Sequence, residues 1–490
     1  MFSVFTLKST KKQTILILPQ INNIIAFTKY LPLKLRQRTT ILHSEMSRIS
    51  YWQQWNIIRN KKEGIIIGAR QAIFAPASNL GFIIIDDEHN ISHKQWDQNP
   101  RYNTLKIAEQ LQKISSAKLM LSSHTPSLTS YYNSKKNNYS IITENQSDEL
   151  QKEKKIETIN MQDEWSKKNY SIFSEEAIEA LKNTILKQKR AIIYVNRKGS
   201  SSLTVCKDCG YTPQCPNCNI ALAVVKSIYK DASKMLICRH CNYQEPIPIP
   251  CPKCKGNNIK YIGTGTEKVK KEIHKLFSEI NTGIVDLSVK TENIKKTISN
   301  FEEGNINILI GTKAILSYNM PEEIDLIIIL NIDTDLQIPN FKAIELTLQT
   351  INSFKLLLKD KDKIIIQTYS QNCPLLTMLQ TYNFKNYFEK ELQNRKNFKY
   401  PPFSQLIKLI YKNKNKTLVK DESEKMLSFL KKEFLGNKKI GISYPIFMPI
   451  NYSKHSAEII IKNSGMSNDL QEWMIKNISN DWIIDVDAEI

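Results

Sequence analysis

The chain has 490 residues, enough for about three ordinary domains, and its 41% hydrophobic and 24% charged content excludes wholesale disorder and fibrous architectures. No uncharged apolar run reaches the ~18–20 residues that cross a bilayer, and residues 1–30 carry Lys8, Lys11 and Lys12 without a small-residue cleavage site, so the expectation is a soluble, cytoplasmic chain with no signal peptide and no membrane partner. A net charge of +21 favours contact with polyanions, although a sequence crowded with Ile, Asn and Lys and holding only 14 Gly raises its charge by composition alone.

In chain order, short apolar runs alternate with amphipathic stretches. Ile15–Leu18 ends at Pro19, Ile65–Ile67 at Gly68, Phe82–Ile85 at Asp86, and Lys118–Leu121 runs into Ser122 and Ser123. Each reads as a buried strand leaving into a polar turn, and Tyr102–Lys113 has helical spacing. That rhythm predicts an α/β lobe with a parallel sheet over 1–135, binding ligands along the strand exits. A polar stretch over 136–155 reads as a linker. A second α/β lobe is predicted over 156–200 and 261–370, from a helix around Glu175–Lys187 and strands at Ala191–Val195, near Ile284, and at Ile306–Ile310, Leu326–Leu330 and Ile364–Gln367. Residues 201–260, between its two parts, form a cysteine-rich insertion. The final section, 371–490, carries Pro401-Pro402 and strands at Leu406–Tyr411, Ala457–Ile461 and Trp482–Val486, which predict a small α+β domain.

Eight of the nine cysteines lie in the insertion, as Cys206/Cys209, Cys215/Cys218, Cys238/Cys241 and Cys251/Cys254. A two-residue gap lets both thiolates of a pair point inward from one tight turn and supply half of a tetrahedral shell. Four such knuckles make two four-thiolate sites, read as two structural Zn²⁺ with no corner left for water. A disulfide framework needs an oxidising compartment, which nothing in the sequence indicates, and a four-iron cluster is the remaining alternative. Which knuckle pairs with which is left open. His240 could replace a thiolate; Cys373, His43, His124, His274 and His455 read as structural or surface residues.

Asp86-Asp87-Glu88-His89 follows directly on a predicted strand, where nucleotide-hydrolysing enzymes hold Mg²⁺ and orient water, although acidic residues at a strand exit also cap turns. Together with the long segments Ile67–Pro76, Ile83–His89, Pro100–Tyr102, Thr125–Ser127, Asn196–Gly199, the eight cysteines, Gly263–Glu267, Ile310–Lys313, Gln367-Thr368, Tyr400–Phe403 and Ile484–Asp487, in order, this chain resembles the PriA family (primosomal protein N′). The resemblance implies two RecA-like helicase lobes of superfamily two, ATP and Mg²⁺ as cofactors, 3′→5′ DNA unwinding at stalled forks, and loading of the replicative helicase. It also implies partners: forked or single-stranded DNA, primosome proteins, the helicase loader and single-stranded DNA-binding protein.

Several positions depart from that family. No G-x-x-x-x-G-K-[ST] occurs; the family's phosphate loop would fall upstream of Pro19, and its N-terminal DNA-binding region is expected to be absent. The family's Asp-Glu-Glu-His reads Asp86-Asp87-Glu88-His89, so a shorter Asp stands at the water-orienting position. Motif five runs from Gly311 to Asn319 without its usual Met, Lys and His. Asn352–Leu358 replaces the Gly- and Arg-rich motif six with its arginine finger. The erosion argues against ATP and Mg²⁺ use, and the expected role is a replication-restart protein that binds DNA without its own ATPase or helicase activity. The alternative is an active helicase whose phosphate loop precedes this chain. For DNA, Lys94 and Arg101 could meet phosphates, and Trp96, His93 and Tyr102 could stack on bases or simply pack their loop against the lobe. Arg197, Lys198, Lys268, Lys270 and Lys271 read as solvated.

Overall fold

The structure is a computed structural model describing residues 11–488, apart from 99–100, 143–154, 197–202, 207, 218–220, 227–233, 239–242, 263–264, 287–288, 319, 322–323, 337, 339, 360–361, 371–372, 382–383, 452–453 and 466–468. Cys218, Cys241, His240, Arg197, Lys198 and most of the expected 136–155 linker therefore lie outside the described residues. Two compact units are present. One runs to Tyr131 and includes 407–410 and 471–488; the other holds 132–406 and 411–470.

In the first unit, strands β1 (Gln13–Ile17), β2 (Thr39–Leu42), β3 (Gly64–Gly68), β4 (Leu80–Ile85) and β5 (Lys118–Leu121) form one sheet in the order β2-β3-β1-β4-β5. All four pairings are parallel. Alternate residues of a strand face opposite sides. Ile15, Ile17, Ile66, Ile83 and Ile85 therefore enter one core with Ile58 and Ala108, while Leu16, Leu18, Ile65, Ile67 and Ile84 enter another with Ile24, Leu31 and Leu35. Burial on both faces is why these strands read as unbroken apolar runs rather than alternating ones. The helix Thr104–Ser115 covers one face and is capped by Asn103, whose side chain accepts from Leu105 N.

The second unit opens with β6 (Lys155–Asn160) and β7 (Arg190–Tyr194). The insertion follows as β8 (Leu203–Cys206), β9 (Ala223–Lys226), β10 (Lys234–Ile237), β11 (Gln244–Pro246) and β12 (Ile259–Ile262). Within it β8 and β12 pair antiparallel, closing its two ends together, and β9, β10 and β11 form a small antiparallel sheet. The main sheet resumes with β13 (Thr282–Val285), β14 (Ile308–Gly311), β15 (Ile324–Ile329) and β16 (Lys363–Thr368), in the order β13-β14-β7-β15-β16-β6, again all parallel. Ile193, Ile308, Ile310, Leu326, Ile328 and Ile365 pack with Ala177 and Leu181 of the helix Glu175–Leu186 and with Val269 and Ile273 of the helix Thr266–Leu276. The chain closes with β17 (Gln405–Asn413), β18 (Ile440–Ile442), β19 (Ile446–Asn451), β20 (Lys454–Asn463) and β21 (Trp482–Val486), and with the helix Lys416–Glu433; β18 and β19 both pair antiparallel with β20. The architecture is thus α/β, two parallel-sheet lobes with a cysteine-rich insertion in the second and a smaller α+β section. Among the described residues no helix is long and apolar enough to cross a membrane.

Candidate functional site

Pairing of β8 with β12 brings the first and fourth knuckles together. Cys206, Cys209, Cys251 and Cys254 place their sulfurs within 4.8 Å of one another. Cys206 Sγ lies 3.6 Å from Cys254 Sγ, and Cys209 Sγ lies 3.7 Å from Cys251 Sγ. Four sulfurs at ~2.3 Å from one tetrahedral ion stand about 3.8 Å apart, so the set has the size of a metal shell. Each knuckle is a backbone turn: Gly210 N donates to Cys206 O, and Lys255 N donates to Cys251 O. Gly210 takes φ +70°, and a Cβ there would stand 2.4 Å from Tyr369 O, so the turn needs glycine. The cluster titrates as a group. Burial, with the other thiols adding to it, pushes Cys209 up to about 12. Burial also opposes ionisation of Cys251, but amides of Cys254 and Lys253 and the neighbouring thiols outweigh it and bring that group down to about 7.

None of the described cysteines forms a disulfide. Cys215 and Cys238, from the second and third knuckles, are buried in one small core with Leu222 and Leu236. Their knuckle partners, Cys218 and Cys241, lie outside the described residues.

The acidic run leaves the end of β4. Its four side chains do different things. Asp86 accepts from Ser122 Oγ; burial raises its pKa, that hydrogen bond opposes the shift, and the Asp87 charge adds to it. Glu88 is buried and accepts from Ser127 N at 2.6 Å and Ser127 Oγ at 3.0 Å, directly before the helix Leu128–Lys135. Its carboxylate therefore satisfies a helix entrance. His89 Nδ1 lies 2.6 Å from Ser123 Oγ. Asp87, at φ +47°, carries Oδ1 to 3.4 Å from Nδ1 of His124. Burial would raise its pKa, but His124, His89 and His93 outweigh that and hold it low. Asp87, His89 and His124 form a group whose ligand atoms lie within 4.8 Å of one another. Sequence reading put His124 among structural or surface residues. The available signal was topological: parallel neighbours β4 and β5 align Ile85 with Leu121, so the turns following both strands emerge side by side.

The loop after the acidic run is tied down by charge. Lys94 is 5% exposed, and its Nζ donates to Arg101 O at 2.7 Å and to Val486 O at 2.6 Å, beside Asp485 Oδ1 at 2.9 Å. Arg101 reaches Asp485 Oδ2 at 3.2 Å. Both cations proposed for phosphate contact thus meet one buried carboxylate on β21, a partner almost four hundred positions away that no local pattern indicates. Tyr102 stands edge-to-face with Phe74, ring centres 4.9 Å apart. Trp96 is 66% exposed and remains on the surface. His93 is buried, with Nε2 2.8 Å from Asp86 O.

In the second unit the motif-six segment begins inside the helix Ala343–Lys355, and Phe354 is buried against Tyr194, ring centres 5.0 Å apart. Gln367, fully buried, joins three chain segments: its amide donates to Ile172 O and Leu330 O and accepts from Ser174 N.

No family model matches the chain. It is 31% identical over 427 residues to the replication restart protein PriA of Bacillus subtilis, covering 86% of this chain and 52% of that protein. It is 30% identical over 434 residues to the PriA of Borreliella burgdorferi, covering 86% and 64%. It is 27% identical over 461 residues to that of Thermotoga maritima, covering 91% and 59%. The chain therefore spans about half of the Bacillus relative's length and less than two thirds of the other two. Among solved structures, S. cerevisiae Dbp5 bound to RNA and ADP BeF3 superposes with TM-score 0.42 at 10% identity, covering 80% of this chain and 84% of that one. RecG bound to a three-way DNA junction gives TM-score 0.42 at 11% identity, covering 81% and 41%. By its extended likeness to these curated relatives, the chain belongs to the PriA family of replication restart proteins.

Proposed function

We propose that this chain is a replication-restart protein that binds forked or single-stranded DNA and helps to load the replicative helicase without hydrolysing ATP itself. The observation that carries the reading is the state of the acidic run: Asp87, at the position where the family has a longer Glu, is turned onto His124, and Glu88 is spent on Ser127. A carboxylate shortened by one methylene and held by an imidazole is misplaced for orienting an attacking water. The motif-six segment offers Asn352–Leu358 where a guanidinium would stabilise charge on the transferring phosphate.

DNA is engaged through charge and stacking. The net charge of +21 supplies the sequence-independent attraction, and exposed Trp96 supplies a face for a base. Lys94 and Arg101 act as positioning residues, fixing the Trp96 loop through Asp485. The cysteine insertion holds two structural zinc ions, one on Cys206, Cys209, Cys251 and Cys254, the other on Cys215, Cys218, Cys238 and Cys241, and presents the surface for primosome proteins and the helicase loader. Zinc on four thiolates has no open corner, so it builds the module and takes no part in chemistry.

The second reading, an active 3′→5′ helicase with its phosphate loop upstream, is favoured by one observation: the chain spans only 52% of the Bacillus relative.

Fluorescence anisotropy with a labelled fork, without nucleotide, tests the DNA claim. The expected result is binding that weakens steeply with salt and falls about tenfold in Trp96→Ala. Equal affinity in Trp96→Ala and wild type would remove the stacking role. Metal analysis after brief dialysis against a chelator should return two zinc ions per chain, and one in Cys251→Ser.

A further inference from the structure

We infer that Asp87, His89 and His124 form a third metal site, one that takes a first-row divalent transition ion of the Zn²⁺ class at the exits of β4 and β5. Asp87 stands two residues beyond Ile85 and His124 three beyond Leu121, and those two strand ends are direct parallel partners. The three ligand atoms lie within 4.8 Å of one another.

The Asp87 Oδ1 to His124 Nδ1 separation is 3.4 Å, longer than a good N–H···O hydrogen bond. Two ligands of one tetrahedral ion, each ~2.0–2.1 Å from it, stand about 3.4 Å apart. The pair is spaced as co-ligands. The imidazoles of His89 and His124 meet edge-to-face at 84° with ring centres 4.9 Å apart. The His124 side chain is 19% exposed and that of Asp87 37%, so the pair is partly open to solvent.

A supporting shell is built around the first. Ser123 Oγ lies 2.6 Å from His89 Nδ1 and also accepts from Thr125 N at 3.0 Å, which fixes the hydroxyl. Contact with Ser123 Oγ fixes the orientation of the His89 ring, the role outer-shell partners commonly play for metal-ligating histidines. Asp87 adopts φ +47°, uncommon for a residue other than glycine, and strain of this kind collects at sites where a side chain must point in one direction.

Donor chemistry selects the ion. Two imidazole nitrogens and one carboxylate suit zinc and its neighbours, whereas Mg²⁺ demands octahedral oxygen. Three protein ligands leave a fourth position for water, unlike the closed four-thiolate site. Asp86 and Glu88 stay outside the set, engaged with Ser122 and Ser127.

The test is calorimetric titration of Zn²⁺ into the full chain after its cysteine-bound metal has been retained and loosely held metal removed. The wild type should take up one additional equivalent, undiminished by excess Mg²⁺. His124→Ala should lose that equivalent, Ser123→Ala should weaken it about 10–100-fold, and His455→Ala should leave it intact. Thermal unfolding of His124→Ala, altered on a solvent-facing turn, checks that the fold persists. Absence of the extra equivalent in wild type, or its persistence in His124→Ala, overturns the site. Neither outcome involves nucleotide or DNA, so the result stands apart from the restart reading.

Discussion

Asp485 shows how much one buried carboxylate can organise. Two cations, Lys94 and Arg101, converge on it, and Lys94 and Asp485 are nearly withdrawn from water. Removing one partner of a buried ion pair costs about 3–5 kcal/mol, because the remaining charge is left uncompensated. Asp485→Ala should therefore lower stability by about that amount in chemical denaturation, whereas Lys94→Met with Asp485→Leu together should recover much of it. A change below about 1 kcal/mol in Asp485→Ala would mean that solvent reaches the pair. Glu164 supplies a pH signature. It accepts from Glu175 N at 2.9 Å and from Asn169 Nδ2 at 2.6 Å; burial opposes its ionisation, but these bonds and Lys167 prevail and hold its pKa low. A depressed folded pKa contributes stability that is complete above the unfolded value near 4.3 and is lost as pH falls through the folded value. Glu164→Gln should therefore reduce stability at neutral pH and flatten the decline below about pH 4.3. An unchanged acid limb would show that the carboxylate is solvated in the native state.

At the level of elements, legibility followed burial. Strands covered on both faces, such as β1, β3, β4 and β15, are unbroken Ile and Leu runs and could be read directly. Within the two parallel sheets the strands that went unread, β2 and β6, each lie at an edge. β2 alternates half-buried threonine and isoleucine with buried positions, and β6, KIETIN, carries Lys and Glu, as solvent-facing edges do. The four-cysteine cluster was visible as spacing, but its pairing of the outer knuckles needed the β8–β12 ladder. The Asp87–His124 approach needed the order of β4 and β5, which the sequence rhythm implies only as a class. Close packing at a strand exit yields a direct prediction. At Gly68 a Cβ would stand 2.3 Å from Leu42 O and 2.4 Å from Ala72 Cβ, so Gly68→Ala should destabilise the first unit by about 1–3 kcal/mol. Hydrogen exchange should register the loss in β2 and β3 first; unchanged protection there would show that the backbone yields without cost.

For the molecule as a whole, each of two α/β sections carries a parallel sheet, and in the first the acidic run at a strand exit is turned onto neighbouring groups: Asp86 and Glu88 are hydrogen-bonded to Ser122 and Ser127, and Asp87 faces His124. The cysteine insertion, by contrast, brings four sulfurs into one metal-sized shell. The proposed role is accordingly that of a DNA-binding scaffold that retains the module and dispenses with the motor. Phosphate release by the purified chain, measured with malachite green in the presence of ATP, Mg²⁺ and forked DNA, tests that claim most directly. The account predicts release no faster than the DNA-free, protein-free background while the same sample binds the fork; DNA-stimulated turnover abolished by Asp86→Asn would contradict it.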